Sequence, residues 1–392
     1  MVVEEITSDI LYLGVRDWNR RLFDELIPLP DGTSYNSFLI RGTEKTALID
    51  TVDQGKTDEF LRKLDEAEIN RLDYVISNHA EQDHSGSLPA ILEKFSGAKI
   101  VTMDKCKDLL MDKMHIDEGS FHVVEDGETL SLGNKTLEFI KAPWVHWPET
   151  LLTYLQEDKI LFPCDFFGSH WASSSLYVPE GEEEKLLEAA KRYYAEIMMP
   201  FRQIIKRHLK KIEGYDIEIV APSHGPIHNN PALIIDAYKE WTADETENEI
   251  VIAYESMYGS TQQMIDYLIE GFIKLGITVK PFKLNQTDIG ELAKALVNAR
   301  TIILGSPTVL TGAHPTVVYA AVLANALRPK AKYATIVGSY GWQTNIIESL
   351  TGLLGRLKLE LFEPVIIKGE PVEEDFAKLD RLVQEIHQKH QD

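Results

Sequence analysis

Cysteine is almost missing from this chain. Cys106 and Cys164 are the only two in 392 residues, far apart and in no paired motif. A disulfide framework is thereby excluded, as is a cysteine-ligated iron–sulfur or rubredoxin-type cluster. Positive charge is also scarce: 40 Lys and Arg stand against 62 Asp and Glu, a formal net charge of −22. Such a surface repels phosphate backbones, which argues against nucleic acid as a partner. No uninterrupted apolar run reaches the roughly 18 residues of a membrane-spanning helix. The opening Met1-Val2-Val3-Glu4-Glu5 has neither the basic nor the apolar part of a signal peptide. No repeat or low-complexity segment stands out. A cytoplasmic protein is expected.

What is present divides into two halves. An apolar share of 44% is ordinary for a globular chain, and the length suggests about two or three domains. Up to about residue 245 the pattern is one of many strands and few helices. Strand-like runs fall at 37–40, 46–50, 74–77, 99–102, 137–140, 151–155, 160–162 and 218–220. Helical periodicity covers 57–66 and a long amphipathic stretch, 182–208. The acidic segment 242–249 has no apolar face and marks a boundary, giving domains 1–246 and 247–392. Beyond it, strands at 250–254, 279–284, 301–304, 333–337 and 361–367 alternate with helices at 261–275, 289–298, 315–326 and 342–357 and one at the C-terminus. This alternation predicts a doubly wound parallel sheet with ligands at the carboxyl ends of its strands.

Three of those strand ends carry loops suited to a flat phosphorylated ligand. Ser256, Met257, Tyr258, Gly259, Ser260 and Thr261 lead into a helix N-terminus, where hydroxyls and N–H groups accept a phosphate monoester. The loop matches neither a dinucleotide-binding fingerprint nor the lysine-bearing nucleoside triphosphate loop. Ser306, Pro307, Thr308, Val309 and Leu310 follow the third strand, and Gly338, Ser339, Tyr340, Gly341 and Trp342 the fourth. They offer a small-residue floor and aromatic faces for stacking a ring. In this order the loops resemble those of flavodoxin, which implies flavin mononucleotide (FMN) as cofactor.

The densest chemistry lies at 79–84. His79, Glu81, Asp83 and His84 follow directly on an apolar strand, a mixture of imidazole and carboxylate expected at a metal site. Other strand ends supply further metal-ligating types: His146 beyond 137–140, Asp165 closing the apolar run 160–164, and His224 after 219–223. A carboxylate at the end of a buried strand requires a partner.

This pattern resembles the metallo-β-lactamase fold, an αββα sandwich whose members mostly carry His-x-His-x-Asp-His and bind zinc. Here Glu81 takes the second position, and a harder oxygen ligand suits iron better. Together with the flavodoxin-like half, the chain resembles the flavodiiron proteins, or A-type flavoproteins, over essentially its whole length. The fold class expected is therefore an α+β metallo-β-lactamase-like sandwich followed by an α/β flavodoxin-like domain. The resemblance implies two non-haem iron ions. His79, Glu81 and His146 would hold one, Asp83 and His224 the other, with Asp165 bridging; His84 is left open between ligation and a hydrogen-bonded role behind the site. Tyr193 or Tyr194, and His170, are candidates for supplying a hydrogen bond to bound oxygen species, and Cys164 reads as buried filler.

The implied activity is reduction of dioxygen to water, of nitric oxide to nitrous oxide, or of both. Sites at strand ends of two domains of one chain need not face each other, and the family's head-to-tail homodimer, or a tetramer, would bring flavin to iron. Rubredoxin is the implied electron donor, with reduced coenzyme F420 as the alternative. Two rivals remain: a zinc-dependent hydrolase fused to a flavodoxin module, and a non-catalytic flavin electron carrier.

Overall fold

The computed structural model describes residues 3–391 and separates into two compact units. The first runs to Tyr194 and resumes at Phe201–Thr242; the second takes Ala195–Pro200 and the chain from Ala243 onward. The division thus falls at 242/243, where the sequence had suggested 246/247.

The first unit is built on two sheets. Its seven-stranded sheet runs, in spatial order, Glu4–Thr7, Ile10–Tyr12, Phe38–Arg41, Thr46–Ile49, Tyr74–Ile76, Lys99–Thr102, Phe121–Val123. The first four strands pair antiparallel and the rest continue parallel. A five-stranded sheet follows: Thr129–Ser131, Thr136–Lys141, Leu151–Leu155, Ile160–Phe162, Ile219–Val220. Period-two alternation assigns the faces. Tyr12, Phe38, Ile40, Ile49, Ile76 and Val101 meet Leu137, Phe139, Leu155 and Phe162 of the other sheet. The neighbouring Leu11, Leu39, Leu48, Val75 and Ile100 instead pack with Phe60, Leu64, Ile91, Cys106 and Leu110 from helices Thr57–Glu66, Leu88–Lys94 and Asp104–Met114. Each of these side chains contributes about 1.5–3 kcal/mol on burial, so a one-residue slip in register would be severely penalised.

Several local expectations are corrected. The stretch 182–208 is not one helix. It runs as helix Glu183–Tyr193, a π turn Tyr194–Met198, a 3-10 turn Met199–Phe201, and helix Arg202–Ile212. Pro200 has no N–H to continue an α-helical ladder. The short strands before residue 37 and the helices Asp104–Met114 and Pro231–Thr242 were not expected from the sequence; both helices are less sharply amphipathic than Thr57–Glu66.

The second unit has a parallel sheet in the order Thr278–Lys283, Glu249–Tyr254, Thr301–Val309, Tyr333–Tyr340, the last flanked by Glu360–Leu361 and Val365–Lys368. Glu249–Tyr254 is buried along its whole length, as a central parallel strand covered on both faces must be. Its core joins Ile250, Ile252 and Ile303 to Leu268 and Phe272 of helix Ser260–Lys274 and to Leu382 and Ile386 of helix Glu373–Gln391. Two segments expected as loops, Gly305 to Val309 and Gly338 to Tyr340, prove to continue their strands. Strand order with the first strand second places the topological switch point between Glu249–Tyr254 and Thr301–Val309, where ligands bind in such sheets.

Candidate metal centre and cofactor pocket

The strand Tyr74–Ile76 delivers Asn78 into a buried frame. Asn78 donates from its backbone N and Nδ2 to the two carboxylate oxygens of Asp50, at 2.8 and 2.9 Å, and accepts from Thr153 Oγ1 at 2.7 Å. Burial pushes the Asp50 carboxyl up to about 6. The chain then turns through His79 into the short helix Gln82–Ser85, which carries Asp83 and His84. Its end is pinned by Thr51, whose N and Oγ1 both donate to the His84 carbonyl at 2.7 Å.

The remaining donors arrive on loops beyond Thr136–Lys141, Ile160–Phe162 and Ile219–Val220. Gly225, after His224, adopts φ +83°, and a Cβ there would lie 2.1 Å from Ser169 Oγ. Any side chain at this position would displace the loop that presents the imidazole.

These elements converge on Asp165. Its Oδ2 lies 3.6 Å from His79 Nε2 and 3.5 Å from His146 Nε2. Both imidazoles also face Glu81 Oε2, at 3.1 and 3.4 Å. The other oxygen, Oδ1, lies 3.1 Å from His84 Nε2 and 3.3 Å from His224 Nε2. Those two face Asp83, at 3.3 Å to Oδ1 and 3.1 Å to Oδ2. His79, Glu81, His146 and Asp165 can thus offer one ligand atom each within 4.8 Å of one another, as can Asp83, His84 and His224. All seven residues expected from sequence are brought together, and His84 turns its Nε2 toward the other donors.

The donor chemistry fits divalent cations. Asp83 Oδ1 and Oδ2, His84 Nε2, Asp165 Oδ2 and His224 Nε2 are buried and have no hydrogen-bond partner, an arrangement that costs free energy unless something else satisfies them. His224 Nδ1 donates to the Ser34 carbonyl at 2.6 Å, so in the neutral ring the Nε2 lone pair points at carboxylate oxygens. A positive charge is required between them. Burial opposes charge on these rings, yet the carboxylates outweigh it: Asp165 and Asp83 raise His224 to about 10, and Asp165 and Glu81 raise His146 to about 9. Burial likewise opposes ionisation of Asp165, but His84, His146 and His224 hold it well below the usual carboxylate range. A metal ion satisfies the same demand without protons.

Around the donors, sequence reading missed one residue and mixed two others. Glu149 Oε1 accepts from His79 Nδ1 at 2.7 Å and from Ala80 N at 3.1 Å. This outer carboxylate orients the ring, as is usual for metal-ligating histidines. Nothing in the run Trp147-Pro148-Glu149-Thr150 marked it, since its partner lies 70 residues earlier. Tyr193 donates from its hydroxyl to Asp165 Oδ1 at 2.7 Å. Tyr194 does not belong to the site: its hydroxyl donates to the Trp241 carbonyl at 3.3 Å and its ring packs on Tyr238 and Trp241. His170 meets Tyr193 edge-on and His224 at a tilt, ring centroids 4.8 and 5.1 Å away, with Nδ1 2.9 Å from Thr33 Oγ1. Burial and the nearby His224 keep it well below the usual histidine range, hence neutral.

In the second unit the strand ends surround a cavity of about 490 Å³, within the range of small-molecule sites. Every expected loop residue except Gly259, Ser306 and Gly338 lines it, and Gly369 joins them. The exceptions are structural. Ser306 Oγ accepts from His314 N at 2.8 Å, a Cβ on Gly338 would lie 2.5 Å from the Ser306 carbonyl, and Gly259 caps helix Ser260–Lys274. Tyr258, Leu310 and Trp342 stand 89%, 86% and 76% exposed on the rim, an apolar surface that needs a cover. Among the described residues, no helix is long and apolar enough to cross a membrane.

Comparison with known proteins agrees with this geometry. A family described as "ODP family beta lactamase" matches residues 33–225. A nitric oxide reductase from Moorella thermoacetica is 36% identical, with 91% of this chain and 90% of that protein covered. The rubredoxin oxygen:oxidoreductase from Desulfovibrio gigas superposes with TM-score 0.95 at 29% identity, covering 100% of this chain and 99% of the other. The flavodiiron protein from Giardia intestinalis gives 0.94 at 26%, covering 100% and 97%. With its β-lactamase-like first unit, its clustered metal-ligating side chains and relatives of this kind along almost its entire length, the chain belongs to the flavodiiron proteins, an oxidoreductase family whose membership implies flavin and iron.

Proposed function

We propose that this protein reduces nitric oxide to nitrous oxide, dioxygen to water, or both, at a diiron centre recharged by FMN. The observation that carries the reading is the division of the Asp165 carboxylate, one oxygen toward His79 and His146, the other toward His84 and His224. His79, Glu81 and His146 would hold one iron; Asp83, His84 and His224 would hold the other, with Asp165 shared. When bound, the two irons supply the electrons and Lewis acidity that a diatomic substrate requires.

The chain's own residues prepare that chemistry. Carboxylates from Glu81, Asp83 and Asp165 offset the metal charge. Glu149 and the Ser34 carbonyl fix the rings of His79 and His224 through their Nδ1 atoms. Tyr193 donates a hydrogen bond to Asp165 Oδ1 and so holds that carboxylate oxygen in place, and deep burial of His79, Asp165 and His224 excludes bulk water. In the other unit, the start of helix Ser260–Lys274 favours a phosphate group, while Tyr258 and Trp342 would flank the isoalloxazine. The nitric oxide reductase relative supports nitric oxide as a substrate.

Rubredoxin is proposed as donor, with reduced coenzyme F420 as the alternative, and a head-to-tail homodimer or tetramer as the working assembly. Anaerobic stopped-flow of the reduced, iron-loaded protein against each gas tests the activity. Flavin reoxidation by at least one gas is expected, and reaction with neither refutes the reading. Two zinc ions without iron would favour the hydrolase instead, and an iron-free, flavin-replete protein the electron carrier. Sedimentation tests the assembly: a monomer with complete flavin-to-iron transfer removes the need for the dimer.

A further inference from the structure

Two imidazoles of the centre are steadied from behind through their Nδ1 atoms, His79 by Glu149 and His224 by the Ser34 carbonyl. His146, in the same donor set as His79, has no such support. Among the described residues its Nδ1 makes no hydrogen bond. Its side-chain partners are Glu81 and Asp165 at Nε2 and the rings of His79 and Trp147. Even for His79, one hydrogen bond at Nδ1 fixes the direction of the ring but not its rotation about that direction.

Trp147 supplies what the hydrogen bonds leave out. Its ring lies 4.9 Å from that of His79 at 83° and 6.4 Å from that of His146 at 81°. The two imidazoles lie 5.5 Å apart at 70°. The three rings thus meet edge-to-face in every pair, the arrangement that ring quadrupoles favour. The rings packed on His84 and His224 do not include Trp147. The indole is itself held. The Trp147 carbonyl accepts from Trp144 N at 2.6 Å and from Thr150 N and Oγ1 at 3.4 and 3.1 Å. Lys113 Nζ, from the last turn of helix Asp104–Met114, lies 4.0 Å from the ring centroid, where an ammonium is attracted to the indole face. Lys113 is exposed, Trp147 half-buried and His79 fully buried, a succession from water to metal ligand.

We infer that Trp147 is a positioning residue for one metal of the pair: it fixes the mutual orientation of His79 and His146, with Lys113 steadying the indole. The inference rests on the diiron reading above. Trp147 touches no substrate and carries neither protons nor electrons in this role. It acts through the two imidazoles, whose ring planes set the ligand geometry of the iron they would hold. The consequence is an asymmetry. The two irons would share Asp165, yet only the one on the His79 side should respond to a change at Trp147 or Lys113.

The test is Mössbauer spectroscopy of the iron- and flavin-loaded protein, in which the two irons give separate doublets. Trp147→Leu should shift one doublet and leave the other in place. A chelator should remove one iron equivalent roughly tenfold faster than from the parent, and FMN affinity should not change. Trp147→Phe keeps an aromatic ring and should recover most of the parent spectrum. Lys113→Met, at an exposed position where substitution costs little stability, should shift the same doublet to a smaller extent. If W147L does not fold, K113M decides alone. Two unshifted doublets, or equal shifts of both, would overturn the inference. A parent protein that takes up no iron would instead overturn the diiron reading.

Discussion

Glu149 Oε1 lies 2.7 Å from His79 Nδ1, with both side chains entirely withdrawn from water. The pair sets which nitrogen of His79 faces Asp165 and raises the basicity of that nitrogen. Replacing Glu149 by Gln removes the charge while keeping the shape. Affinity for the metal on the His79 side should weaken by roughly tenfold or more. Chelator competition measures this, and an unchanged affinity would remove Glu149 from the metal's support.

Stability of the metal-free protein should depend on pH in a direction fixed by its histidines. His146 and His224 are raised from 6.5 to about 9 and about 10 by Asp165, Glu81 and Asp83 against the opposing effect of burial. Between the unfolded and folded values the native state binds more protons, so stability falls as pH rises. Their contribution is complete below 6.5 and is lost as pH climbs through about 9 to 10. Thermal melts of chelated protein at neutral and alkaline pH should show this loss. Iron-loaded protein should not, because the ligating imidazoles then carry no proton.

Phe162 closes the strand before Cys164 and Asp165 and packs on Phe38 of the other sheet, ring centroids 5.1 Å apart. Phe162→Ala should cost about 3–5 kcal/mol by opening a cavity in the sheet interface. Urea unfolding followed by tryptophan fluorescence provides the measurement. A cost under about 1 kcal/mol would mean the interface collapses around the gap.

Trp342 stands largely exposed on the rim of the second unit's cavity. If it stacks on the flavin, Trp342→Ala should weaken FMN binding by about 1 kcal/mol, roughly fivefold. Titration of flavin fluorescence into cofactor-free protein tests this, and an unaltered dissociation constant would place the ring elsewhere.

Much of this was legible in one dimension. The seven metal-ligating candidates sit where strands end, and strand ends follow from apolar periodicity, so their residue types and positions could be read directly. The loops that line the second unit's cavity follow strand ends in the same way, although the strands beneath them run further than their apolar cores, since Ser306 and Ser339 still sit in the ladder, opposite Gly338 and Pro307. Tyr193 and Tyr194 show where reading stops. Adjacent helical residues point about 100° apart, and only packing shows that Tyr193 reaches Asp165 while Tyr194 reaches Trp241.

The sequence by itself determined which donor types are available: oxygen and nitrogen donors without cysteine, a glutamate where zinc enzymes carry histidine, and a serine- and threonine-bearing loop without lysine ahead of helix Ser260–Lys274. These are properties of residue types and short spacings, which local sequence preserves. Tertiary structure alone decided which oxygen of Asp165 faces which histidines, that Glu149 stands behind His79, and that His84 turns inward to the other donors. Those relationships join residues tens of positions apart, and they are set by how two sheets pack, which no local pattern encodes.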